Sequence, residues 1–124
     1  MTSPAPPDGE DVPAVPPALP VEIEPAALAG LRQGPEPYAL LDVREPWELE
    51  ICGFAEALHL PLGVLGGRAS ELPDDRPLIV ICHHGRRSLI AARHLRQRGL
   101  ERAVSLRGGV EAYALEIDSA MARY

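Results

Sequence analysis

Residues 77–88 read Pro-Leu-Ile-Val-Ile-Cys-His-His-Gly-Arg-Arg-Ser. Four consecutive apolar β-formers, Leu78 to Ile81, deliver a cysteine into two histidines, a glycine, two arginines and a serine. A strand that is apolar at every position is covered on both faces, which places Leu78–Ile81 centrally in a parallel sheet. Ligands of such sheets gather beyond the carboxyl ends of the strands, and Cys82 stands at one of those ends. The spacing predicts a helix over Ser88–Arg98, with Leu89, Ile90, Ala91, Ala92 and Leu95 apolar among arginines and Gly99 ending it. Between strand and helix, a loop containing Gly85 can curl so that its backbone N–H groups point inward as an anion nest. The helix N-terminus adds its dipole to the same spot. Arg86 and Arg87 add full charge at the rim. A thiol in that field is favoured as the thiolate, which is the nucleophilic form.

The simpler alternative is a cysteine packed inertly at a strand end, as a small hydrophobe. Such a residue needs no glycine-bearing loop, arginine pair and helix start beside it. His83 and His84 raise the question of zinc. Three adjacent ligands cannot converge tetrahedrally without a distant fourth, and the usual C-x2-C spacing is absent, so no metal is expected.

Working outward, the chain repeats strand and helix. Val21–Ile23 alternates as a short strand, and Glu24-Pro25 opens an Ala/Leu-rich helix that Gly34-Pro35 stops. Tyr38–Val43 is a second strand, and Trp47–Ile51 a short helix with Pro46 in its first turn. Leu58–Leu60 is a third strand, followed past Pro61 by a helix near Leu65–Leu72. Ala103–Leu106 is a fifth strand, and Gly108-Gly109 turns into a last helix running toward Ile117. Alternation of this kind predicts a three-layer α/β domain with helices on both faces of a sheet.

The 124 residues suit one core. Half of the fourteen prolines fall in the first twenty residues. Segment 1–19 therefore reads as a flexible Pro-rich tail that cannot bury enough apolar surface to offset its ordering entropy, with the domain at 20–124. The net charge of −6 argues against nucleic-acid partners, since a phosphate backbone would be repelled. All twelve basic residues are arginine. No stretch is long and apolar enough to span a bilayer. The N-terminus lacks a basic start and a hydrophobic block, and two cysteines in unlike contexts do not suggest a stapled secreted scaffold. A cytoplasmic, soluble protein with reduced thiols and no membrane contact is expected.

The loop Cys82-His-His-Gly-Arg-Arg-Ser88 resembles the C-x-x-G-x-R-S active-site loop of single-domain rhodanese-like sulfurtransferases. Three further segments agree in order. Leu41-Asp-Val-Arg-Glu-Pro-Trp-Glu48 is similar to the family's L-D-V-R-E-x-x-E block. Ala57-Leu-His-Leu-Pro-Leu62 is similar to its A-x-x-I-P-L strand, and Leu106-Arg-Gly-Gly-Val110 to its L-x-G-G-[IV] turn. These segments run in order from Leu41 to Val110, and the resemblance covers about residues 20–115. The resemblance implies a five-stranded parallel sheet flanked by helices. It also implies sulfane-sulfur transfer through a Cys82 persulfide, from thiosulfate or a persulfide donor to cyanide, a small thiol or a protein thiol, with no cofactor. By the same resemblance His83, His84, Gly85, Arg86, Arg87 and Ser88 line the substrate site, Arg87 holding the donor more than Arg86, while Asp42 and Arg44 brace the fold. The chain departs from the family at Cys52-Gly-Phe-Ala-Glu-Ala57, where G-H-I-P-G-A is frequent, and at Tyr113, where Trp is frequent.

Two alternatives stand beside this reading. A C-x5-R phosphatase or arsenate-reductase-like enzyme also cradles an oxyanion against a thiolate, but Arg87 gives C-x4-R and a smaller cradle. A non-catalytic rhodanese-like module used for binding or regulation typically loses the cysteine or the loop glycine, and both are kept here; a sulfur-relay role is compatible with catalysis, since a persulfide can be handed to another protein.

Overall fold

The computed structural model describes residues 20–124, so the segment expected as a flexible tail, 1–19, lies outside the described residues. The middle of the sheet is β4 (Leu78–Ile81), and β1 (Glu22–Ile23), β2 (Ala39–Asp42), β3 (Leu58–His59) and β5 (Ala103–Leu106) complete it in the order β1-β5-β4-β2-β3. Every pairing is parallel. Leu40 lies opposite Ile79, and Ile79 opposite Val104.

The two-residue period of β4 sorts its side chains between two cores. Leu78, Val80 and Cys82 face one layer with Ala91, Ala92 and Leu95 of helix α4 (Arg86–Gln97) and Leu65 of helix α3 (Leu62–Arg68). Ile79 and Ile81 face the other, with Leu28 of helix α1 (Pro25–Gln33) and Val110 and Tyr113 of helix α5 (Gly109–Glu116). Helix α2 (Pro46–Leu49) is a single turn between β2 and β3. The sheet is thus sandwiched between helices, as a strand apolar at all four positions requires.

Several boundaries differ from those predicted. Helix α4 begins at Arg86, two residues before Ser88, so both arginines belong to its first turn and not to the loop. Gly85 is its N-cap, with φ 94°. Helix α3 begins at Leu62 and passes into one 3-10 turn at Ala69–Glu71. Helix α2 begins at Pro46, whose fixed φ suits a first helical position. It is closed by a reciprocal capping box in which Glu45 accepts from the Glu48 N–H and Glu48 from the Glu45 N–H.

Where the family often has G-H-I-P-G-A, Phe54 meets Tyr113 edge-to-face with ring centroids 4.9 Å apart. Arg32 lies over the Phe54 ring at 4.7 Å and donates to the Tyr113 hydroxyl at 3.1 Å. The altered segment and the Trp-to-Tyr change therefore meet in one cluster that retains an aromatic anchor.

Candidate active site

The Cys82 sulfur sits where β4 hands over to α4, and the residue as a whole is 1% exposed. Its Sγ accepts the backbone N–H of Gly85 at 3.1 Å and of Ser88 at 3.2 Å, and Ser88 Oγ lies 3.3 Å away. Ser88 is the third residue of α4, whose N–H has no partner within the helix. The N-cap Gly85 has no side chain to accept it, so the cysteine sulfur does so from outside. Negative charge on Sγ thus meets two backbone donors and the positive end of a twelve-residue helix.

The loop can present its N–H groups inward because its carbonyls are accepted elsewhere. Val110 N–H donates to Cys82 O at 2.9 Å and Glu111 N–H to His83 O at 3.1 Å, so the start of α5 holds the outside of the loop. This contact explains the double glycine. Gly109 has φ 63°, and a Cβ there would overlap the carbonyls of Cys82 and His83. A Cβ on Gly85 would come within 2.8 Å of Gly108 N.

Behind the sulfur, Ser88 Oγ lies 2.7 Å from Ser105 Oγ, and both serines are fully buried. Beside it, Arg87 forms a two-pronged ion pair with Glu48, Nη1 to Oε2 and Nη2 to Oε1, both 2.8 Å. Tyr124 Oη donates to Glu48 Oε1 at 2.8 Å and accepts from Arg44 Nη1 at 2.9 Å. Arg44, fully buried, holds Asp42 through Nε and Nη2, and its Nη2 also donates to Cys52 O at 2.8 Å. The Arg87 hydrogen bonds pull the Glu48 carboxyl down to about 2, against the opposing effect of burial. Burial pushes the Tyr124 hydroxyl up to about 12, so it keeps its proton and donates.

The mouth above the sulfur is a cavity of about 390 Å³ lined by Cys82, His83, His84, Arg86 and Arg87. His83 is stacked between His84 and Tyr124, with centroids 3.8 Å from each. Burial, and then the His84 charge, lower its pKa, which keeps the ring neutral near pH 7. Arg86 is exposed and, among the described residues, makes no hydrogen bond or ion pair.

All seven residues from Cys82 to Ser88 therefore gather at the sulfur or its mouth, with the two arginines in different situations. Arg87 lines the cavity, yet its terminal nitrogens are committed to Glu48. Asp42 and Arg44 stand behind, joined to the loop through Tyr124 and Glu48. Cys52 is half-buried against Arg44, and both cysteines are free thiols. Among the described residues no group of three or more His, Cys, Asp or Glu could hold a metal ion, and no helix is long and apolar enough to cross a membrane.

Three participants were not singled out from sequence. Glu48 carried a signal, its capping-box spacing from Glu45. So did Ser105, a hydroxyl on an otherwise apolar strand. Tyr124 carried none, because its place depends on how the chain folds back after α5.

A family model described as "Rhodanese-like domain" matches residues 24–116. A protein named "Sulfurtransferase" from Allochromatium vinosum is 37% identical over 93 residues, covering 75% of this chain and 87% of that one. The "Putative sulfur carrier protein YrkF" of Bacillus subtilis is 37% identical over 75 residues, covering 60% of this chain and only 40% of its own length. Among solved structures, a rhodanese-related protein from Thermoplasma volcanium has a TM-score of 0.71 at 34% identity, covering 77% of this chain and 92% of that one. With the family model spanning β2 to β5, helices α1 to α5 and the cysteine loop alike, the chain belongs to the rhodanese-like domain family.

Proposed function

We propose that this protein is a sulfurtransferase that carries a sulfane sulfur on Cys82, taking it from thiosulfate or a similar anionic donor and passing it to a thiol or to cyanide. The observation that carries the reading is the Cys82 Sγ itself, met by two backbone N–H donors at the floor of a cationic cavity. The thiolate attacks the outer sulfur of thiosulfate, the sulfur–sulfur bond of the donor breaks, and sulfite leaves with the electron pair. The persulfide keeps its negative charge beside the N–H groups of the loop and the Ser88 hydroxyl. An acceptor thiolate or cyanide then takes the outer sulfur and returns Cys82 as thiolate. Neither half-reaction needs a metal or an organic cofactor.

Within this reading the roles of the two arginines divide, the reverse of the expectation that Arg87 holds the donor more than Arg86, because Glu48 already takes both terminal nitrogens of Arg87. Arg86, which makes no hydrogen bond or ion pair among the described residues, meets the incoming sulfonate. Arg87, locked on Glu48, fixes the first turn of α4 and so the aim of the Ser88 N–H. Asp42, Arg44 and Tyr124 hold Glu48 in turn.

Incubation with thiosulfate should add the mass of one sulfur atom to Cys82, release sulfite, and reverse on addition of cyanide. Hydrolysis of a phosphate ester without any sulfur loading would instead establish the phosphatase reading.

A further inference from the structure

Residues 86–98, helix α4 and its C-terminal cap, contain five arginines and no aspartate or glutamate. The arginines elsewhere are mostly neutralised: Arg32, Arg44, Arg68, Arg76, Arg107 and Arg123 each hold a carboxylate. On α4, Arg87 does so through Glu48. Arg96 donates to the carbonyls of Ala103 and Pro20, and Arg98 to the carbonyl of Gly66. Among the described residues, Arg86 and Arg93 make no hydrogen bond or ion pair. Arg86, Ile90, Arg93 and Gln97 recur at helical spacing and are all exposed, Ile90 by 58%. The stripe starts at the cavity of Cys82, where Arg86 is a lining residue, and Arg93 lies about 10 Å farther along the helix axis.

We infer that this face of α4 is the docking surface for an acidic protein segment that brings the acceptor thiol to Cys82; this rests on the sulfur-transfer reading. A donor as small as thiosulfate cannot span from the sulfur to Arg93, so the outer part of the stripe serves something longer. An exposed isoleucine between two guanidinium groups that have no partner among the described residues suits a protein contact, in which an apolar centre is flanked by arginine. The chain as a whole carries −6, so a polyphosphate backbone is repelled beyond this one face, whereas a short acidic segment sees mainly the local charge. The docked thiolate attacks the outer sulfur of the Cys82 persulfide. A new sulfur–sulfur bond forms on the acceptor, and the bond to Sγ breaks with its electron pair, leaving the Cys82 thiolate. Atoms and electrons balance without an oxidant or reductant.

The test uses the full chain and two fluorescent cysteine-bearing peptides of equal length, one glutamate-rich and one with glutamine at each glutamate. Anisotropy reads binding, and single-turnover transfer from the persulfide-loaded protein reads delivery. The glutamate peptide should be preferred at low salt. Arg93→Glu should lower its binding and transfer rate roughly three- to tenfold, Arg93→Lys should restore most of both, and high salt should erase the preference. Thiosulfate:cyanide turnover should be unchanged in both variants. If that turnover is absent from the wild type while glutamate-peptide binding survives, the sulfur-transfer reading fails and the surface stands. Equal handling of the two peptides by the wild type, or an unaltered preference in Arg93→Glu, would overturn the inference, as would tighter binding of an RNA oligonucleotide of matched charge. A rise in glutamate-peptide affinity on neutralising Asp8, Glu10 and Asp11 would assign the face to the chain's own N-terminal segment and also overturn it.

Discussion

Ser105 stands on a strand whose other residues are apolar, and its hydroxyl reaches Ser88, not solvent. When Cys82 carries negative charge, Ser88 O–H donates to Sγ and Ser105 O–H donates to Ser88 Oγ, so the two hydroxyls align toward the sulfur. Ser105→Ala should leave Ser88 without its buried partner. A loss of about 1 kcal/mol in stability and a roughly fivefold slower sulfur loading are expected, while Ser105→Thr should retain more of both. Cys82→Ala should abolish thiosulfate:cyanide transfer and Cys52→Ala should leave most of it; equal loss would point to a two-thiol mechanism. Steady-state kinetics separate the arginines. Arg86→Ala should raise KM for thiosulfate by up to about fivefold at low salt, an effect that fades as salt rises. Arg87→Ala should cost about 1.5–3 kcal/mol of stability by stranding Glu48, at any salt. At this scale the sequence singled out Cys82 as the candidate nucleophile, because thiol, glycine, arginines and serine are contiguous. It could not reveal which arginine is committed to an ion pair, because the carboxylate that claims Arg87 lies 39 positions away in the chain.

At the scale of elements, α4 and α5 meet over the cysteine loop, and the meeting is made by backbone. Gly109→Ala would combine a left-handed φ with overlap onto two carbonyls. The φ alone costs about 1–3 kcal/mol, and the loop would have to move as well. Thermal melting should show the loss, and the same variant should load sulfur more slowly than Gly30→Ala, where a Cβ meets nothing within 4 Å. Element types and order were readable because strands and helices differ in hydrophobic period and because Pro25, Pro46 and Gly99 mark ends. The start of α4 was misplaced by two residues because polar Arg86 and Arg87 look like loop. They are helical because Gly85 turns left-handed and the cysteine sulfur accepts the Ser88 N–H.

For the molecule as a whole, Glu48 ties α2, α4 and the segment ending at Tyr124 together, and its ionisation should show in acid stability. Its folded pKa of about 2 lies below the ordinary value of 4.5. The ionised carboxylate therefore stabilises the fold above about 4.5, and this contribution is lost as pH falls toward 2. Wild type should exceed Glu48→Gln by up to about 3 kcal/mol at neutral pH, and denaturant midpoints should converge near the acid limit. The parallel sheet with β4 at its centre was legible from one all-apolar strand. The Arg44–Tyr124–Glu48–Arg87 network was not, since it joins side chains that only tertiary packing brings together.

In the proposed reaction, the sulfur that reacts is also the acceptor that completes the first turn of α4. Each change in its chemistry therefore rewrites the end of a helix. Thiolate, persulfide and alkylated sulfur offer the Gly85 and Ser88 N–H groups different charge and reach, so amide proton shifts and exchange rates at these two residues should report turnover directly. An observer could follow the catalytic cycle from the backbone alone, without a chromophore on the substrate.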